Sequence, residues 1–250
     1  MCLSAGFTYQ LGIENWINYG LFSFFSTLSV YNGQRLFKSK QQIQSPWLTW
    51  VCIHKKPLTI IVIFSSVLSL GFLLSVLNLN YVTISILIVS GIISALYVIR
   101  IRGKNMREIP YLKIHLIAFA WTLIVIVFPI MNEGSDASAV YIGFAHYLFF
   151  LGVTIPFDIR DLKYDKEDHK TIPQVSGIEA AKGIGVLSVV AFGILMALVI
   201  PSLQLNVLFY IAIITQLVLL IGMNEKRNDM YCAGLIDGAI AILGLSYFLV

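Results

Sequence analysis

Charge is what this sequence has least of. Asp, Glu, Lys and Arg make up 12% of its 250 residues, against about 25% in a soluble domain. With 58% hydrophobic residues and a mean hydropathy of +0.84, that shortage excludes an ordinary soluble globular fold. Cysteine is also sparse. Cys2, Cys52 and Cys232 show no CxxC spacing, which excludes a disulfide framework and a zinc site. Residues 1–11 lack a basic n-region and a small-residue cleavage motif, so they do not read as a signal peptide. The pI of 8.9 would suit nucleic acid, but the placement of the charges argues against that partner.

What the chain has instead is apolar runs. Eight reach the ~20 residues a helix needs to cross a ~30 Å hydrocarbon core. They lie at roughly 14–35, 58–77, 81–99, 111–130, 138–157, 183–201, 204–222 and 231–249. The first has a polar start at Glu14, Asn15 and Asn18. Pro129, Pro156 and Pro201 fall where spans end, and a helix can stop there without orphaning a carbonyl. The expectation is an all-α polytopic bundle of about eight transmembrane helices, forming one domain over 1–250 in the lipid bilayer.

All 17 Lys and Arg residues fall in four segments, 35–57, 100–113, 157–182 and 223–230. The intervening connections, 78–80, 131–137 and 202–203, hold only Glu133 and Asp136. Strict alternation of basic and non-basic loops follows the positive-inside rule. It puts the basic loops in the cytoplasm and both termini on the outer side. A basic face also suits anionic lipid headgroups and anionic substrates.

One basic segment carries acids as well. Asp158, Asp161 and Asp165 stand at i, i+3 and i+7 directly after an apolar run, with Arg160, Lys163 and Lys170 close by. On a helix the three carboxylates fall within roughly 60° of each other. That suits a hard divalent cation carrying a phosphate. The same residues also fit a solvated charged loop, the usual fate of a charge run. An EF-hand is excluded, because Lys166 stands where a calcium loop begun at Asp161 needs Gly. A shift of 126 residues lays Asn32 on Asp158, Arg35 on Asp161 and Leu36 on Leu162. This is a faint internal echo of the paired repeats that place a site between two halves.

With Asp158, Asp161 and Asp165 forming DxxDxxxD, followed by Lys170-Thr171-Ile172-Pro173, the chain resembles the UbiA family of intramembrane prenyltransferases. The likeness runs from about residue 20 to the end. It implies transfer of an isoprenyl chain from a prenyl diphosphate to a lipophilic acceptor, with Mg²⁺ held by Asp158, Asp161 and Asp165 as the catalytic acids. It also implies diphosphate contacts from Arg160, Lys163 and Lys170, and substrate-binding places at Asn32, Arg35, Arg100 and Arg102.

Three departures stand beside it. The family's first acidic motif would place carboxylates one, four and eight residues after Asn32, where this chain has Gly33, Leu36 and Lys40. Its Tyr-x-x-x-Lys element would need Lys at 101; here Tyr97 is followed by Ile101, between Arg100 and Arg102. The family usually has nine spans, and Met1–Gly12 look like the tail of a missing first one. Because basic residues replace the first motif, Arg35 is expected to neutralise Asp158 or Asp161 in place of a cation.

His115 and His146 lack a second ligand at helical spacing and read as satisfied interior histidines. Asp237, inside the last apolar run, is expected to face the interior and find a hydrogen bond or a cation. Asp237-Gly238 echoes the CDP-alcohol phosphotransferases, but the rest of their motif is absent. The 224–229 segment reads as a solvated turn. Two functions follow: a prenyltransferase, or a catalytically impaired relative acting as an isoprenoid-binding or scaffolding protein. A transporter is disfavoured, because the prolines do not break spans at their middles.

Overall fold

The computed structural model describes residues 1–39, 46–99, 106, 109–134, 138–163 and 170–249. All the regular structure among these residues is helical, with no strand. In chain order the helices are α1 (Cys2–Gln10), α2 (Trp16–Lys38), α3 (Pro46–Ile53), α4 (Lys55–Val76) and α5 (Tyr81–Leu96). Then follow α6 (Leu112–Thr122), α7 (Phe128–Glu133), α8 (Ser138–Asp161), α9 (Ile172–Ser176), α10 (Ile178–Val199), α11 (Val207–Ile221) and α12 (Asp237–Ser246). A wide π turn over Leu123–Val127 joins α6 to α7, and another over Tyr231–Ile236 leads into α12.

A helix thus lies at each of the eight apolar runs, but they differ in reach. Five helical stretches are long and apolar enough to cross a membrane: Lys55–Val76, Leu112–Glu133, Ser138–Asp161, Ile178–Val199 and Tyr231–Leu249. Tyr81–Leu96 and Val207–Ile221 are apolar but shorter. α2 is long, but Asn18, Asn32, Gln34, Arg35 and Lys38 interrupt its apolar character. α1 covers only ~14 Å at 1.5 Å per residue. It packs on α2 and α12, with Gly6 directly against Gly244.

Two prolines behave differently from the expectation of stops. Pro156 lies inside α8, which continues to Asp161. Pro129 lies within the continuous 112–133 stretch, just after the π turn, where Phe128 N–H reaches back to Leu123 O. The widened turn makes room for a ring that would clash with a preceding carbonyl. In a bundle, neighbouring helices can absorb such breaks. Pro201 does follow a helix end and opens a 3₁₀ turn. Asn80 and Asn206 cap α5 and α11, accepting from Thr83 N–H at 2.8 Å and Phe209 N–H at 3.0 Å.

The main core lies among α1, α8, α10, α11 and α12, where Phe7, Phe149, Phe192, Phe209 and Tyr247 are fully enclosed. His146 sits among these rings. Its two nitrogens meet Ile142 O at 2.9 Å and the Tyr247 hydroxyl at 3.2 Å, as a satisfied interior histidine should. A smaller cluster of Tyr19, Phe22, Val76, Ile86 and Phe128 joins α2, α4, α5 and α7. Outward, Ile60, Ile63, Phe64, Val67 and Leu74 of α4 are exposed at helical spacing. An apolar stripe turned outward is what lipid contact requires.

Candidate functional site

The acidic motif sits where α8 ends. Pro156 does not stop the helix, so Asp158 and Asp161 ride its last turn, three residues apart and on one side. A helix C-terminus carries partial negative charge, which makes this an adverse place for carboxylates. The compensation comes from α6, whose N-terminus packs beside them and brings Lys113. The Lys113 Nζ is 2.9 Å from Asp158 Oδ1 and 3.9 Å from Asp161 Oδ2. A lysine at a helix N-terminus and an aspartate at a helix C-terminus each oppose their own dipole. Together, each lies at the end that suits the other.

Burial makes the pair strong. The Lys113 and Asp158 side chains are 9% and 2% exposed. Asp161, more open, is held by Arg160, whose Nε donates to Oδ1 at 2.8 Å. Arg160 also reaches Asp229 of the 222–230 connection at 3.7 Å. That connection is ordered by Arg227 Nε donating to Gly222 O at 3.1 Å and Tyr231 OH donating to Leu219 O at 2.7 Å. Asp229 is 83% exposed, so its contact with Arg160 is worth little energetically. It does bring a fourth connection to the site that the sequence reading treated as a plain turn.

Lys170, just before α9, meets Tyr111, just before α6. Tyr111 N–H donates to Lys170 O at 3.3 Å. Both residues hold left-handed backbone, with φ of 64° and 44°. Lys170 is therefore placed beside the entrance of α6, and the Thr171–Gln174 capping box then starts α9. Lys163 is exposed just past the end of α8.

Of the other anticipated residues, Asn32 and Arg35 lie on α2, which packs on α1, α3 and α4. Asn32 Nδ2 donates to Leu28 O within its own helix at 2.8 Å. Arg35 lies over the Tyr31 ring at 4.0 Å and donates to its hydroxyl. The part anticipated for Arg35 is filled on Asp158 by Lys113, because α6 rather than α2 abuts the end of α8. Tyr97 faces Lys38 at 5.1 Å. Asp165, Arg100 and Arg102 lie outside the described residues. Asp237 is exposed rather than interior, with Arg160 the cation within electrostatic range.

Lys113 and Asp229 were missed for different reasons. Lys113 had a signal: a cation two residues inside the 111–130 apolar run must be paired. Asp229 had none, since nothing local in a polar turn points to a partner 69 residues away.

The donor set can be tested against Mg²⁺. That ion wants carboxylate oxygens in near-octahedral array. Asp158 is instead buried against an ammonium, and Asp161 is held by a guanidinium. Two unit positive charges about 4 Å apart repel by about 4 kcal/mol at an effective dielectric near 20. A divalent ion on Asp158 would meet at least that from Lys113. The described residues therefore do not fit Mg²⁺ while Lys113 stays in place. No cluster of three His, Cys, Asp or Glu among the described residues is arranged to hold a metal.

An apolar groove of about 580 Å³ runs between the α6–α7 stretch and α8, lined by Leu112, Leu116, Phe119, Leu123, Val127 and Phe144, among others. Its polar point is His115, whose Nδ1 is 2.5 Å from the Tyr147 hydroxyl. The groove begins at Leu112, next to Lys113.

A family model described as the UbiA prenyltransferase family matches residues 53–230. The match takes in Lys113, Asp158, Arg160, Asp161 and Asp229, and leaves out Asn32, Arg35 and Asp237. No curated protein and no solved structure gives a significant match.

Proposed function

The chain belongs to the UbiA prenyltransferase family, and on that footing we propose that it binds an isoprenyl diphosphate and transfers the isoprenyl chain to a lipophilic acceptor. The observation that carries this reading is the cluster of Lys113, Asp158, Arg160 and Asp161 at one end of α8, with Lys170 beside it. The 580 Å³ groove between the α6–α7 stretch and α8 offers an apolar bed for the isoprenyl tail. In transfer, the carbon–oxygen bond to diphosphate breaks and the electron pair leaves on oxygen. Lys113, Arg160, Lys163 and Lys170 are the cations placed to meet that charge. The acceptor forms the new bond and gives up a proton.

A second reading, an isoprenoid-lipid-binding or scaffolding protein without turnover, is favoured by the Lys113–Asp158 pair itself. With Asp161 on Arg160, the two acids and two bases close on each other. One experiment separates the two. The full chain in nanodiscs is given labelled farnesyl or geranylgeranyl diphosphate and an extract of membrane quinone and phenol acceptors. Turnover that is lost in Asp158→Asn supports transfer. Saturable binding without turnover supports the second reading.

The family places such a protein in the membrane, and the basic loops argue for their own exposure to the cytoplasm. In a cysteine-free background, Lys226→Cys is expected to react with an impermeant maleimide only in permeabilised cells, and Leu79→Cys in intact ones. The reverse pattern would invert the topology.

A further inference from the structure

We propose that Lys113 is a resident cation of the acidic site, holding on Asp158 the place a divalent ion takes in a carboxylate–metal site. The chain then engages a phosphate-bearing isoprenoid with no metal on Asp158. The phosphate ligand rests on the reading above; the role of Lys113 does not.

Two observations converge. One ammonium lies against Asp158 at 2.9 Å and within 3.9 Å of Asp161, between the two carboxylates of the helix end. It cannot readily leave: its side chain is 9% exposed, and its helix start is pinned by the Tyr111–Lys170 backbone bond. Asp161 is in turn held by Arg160, whose Nε donates to its Oδ1 at 2.8 Å. A buried lysine of this kind needs its carboxylate as much as the carboxylate needs it.

The test uses the full chain in phosphatidylcholine nanodiscs and Mn²⁺ as a paramagnetic probe. The wild-type protein is expected to show no Mn²⁺ bound through Asp158, and the same thermal midpoint in Mg²⁺ as in EDTA. Lys113→Met frees the carboxylate. It is expected to bind Mn²⁺ and to gain a midpoint that rises with Mg²⁺ concentration. Mn²⁺ bound by the wild type and lost in Asp158→Asn overturns the proposal. Mn²⁺ bound equally by both proteins leaves Asp158 metal-free and supports it. If Lys113→Met does not fold, the wild-type and Asp158→Asn measurements decide alone. Labelled farnesyl diphosphate supplies the second arm. Binding that survives EDTA supports the proposal, and binding that needs the divalent ion in the wild type but no longer in Asp158→Asn overturns it. No binding in either condition removes the prenyl diphosphate reading, while the Mn²⁺ result still judges Lys113.

Discussion

The amide of Tyr111 donates to the carbonyl of Lys170, and both residues hold left-handed backbone. Two loops 59 positions apart are thereby locked together at the mouth of the acidic site. Left-handed backbone costs a non-glycine residue roughly 1–2 kcal/mol. Lys170→Gly should therefore keep or raise stability, by up to about 1 kcal/mol after glycine's entropic cost. Lys170→Val should lower it by about 1–2 kcal/mol. Thermal unfolding in detergent reads both. If Lys170 touches diphosphate, the glycine variant binds farnesyl diphosphate more weakly despite its stability.

The Lys113–Asp158 pair predicts a strongly non-additive cycle. Removing one partner of a buried ion pair costs about 3–5 kcal/mol, whereas replacing both with apolar groups is often close to neutral. Lys113→Met and Asp158→Leu should each destabilise the bundle, and the double variant should recover most of the loss. Additive losses in denaturant titrations would show that the pair is not coupled.

Gly244 and Gly6 let α12 and α1 touch backbone to backbone. A Cβ on Gly244 would overlap the main chain of Cys2 and Leu3, and one on Gly6 would overlap the Gly244 carbonyl. Main chain cannot turn aside as a side chain can, so Gly244→Ala should cost about 1–3 kcal/mol or more. Gly238→Ala, on the same helix with open space around it, is the control and should leave the thermal midpoint unchanged or slightly raised, since alanine is the better helix former.

At the opposite end, Tyr19 OH donates to Glu133 Oε1 at 2.6 Å and accepts from Asn132 Nδ2 at 2.5 Å. Asn132 Nδ2 also donates to Val76 O at 2.7 Å, and its Oδ1 accepts from Asn78 N–H at 2.9 Å. This knot ties α2, α4 and α7. Tyr19→Phe should cost about 1 kcal/mol or more, because buried Asn132 loses an acceptor while exposed Glu133 can turn to water. Hydrogen exchange at Val76 and Asn78 should quicken in the variant.

Much of the frame was legible because a bilayer imposes a one-dimensional rule. Apolar runs near 20 residues must become helices, since no other local structure satisfies every backbone group in lipid. The runs around α4, α8 and α10 carry that signal undiluted, and the all-α membrane fold follows from them. Asp158 and Asp161 were likewise legible as neighbours, because three-residue spacing meets on any helix. Pro156 was misjudged: its local rule is to end a helix, yet the packing around α8 carries the helix on to Asp161.

What the residues could not decide alone is which helix end meets which. Side chains at 113 and 158 have no periodic relation. They meet because α6 and α8 run antiparallel with their ends level, which is a consequence of packing along their whole lengths. The same packing puts Lys113 of α6, rather than a residue of α2, at 2.9 Å from Asp158. Composition and periodicity determined that this is a helical membrane protein with an acidic helix end. Tertiary structure decided that the end is closed by a lysine, because pairing of charges depends on distances that only the assembled bundle sets.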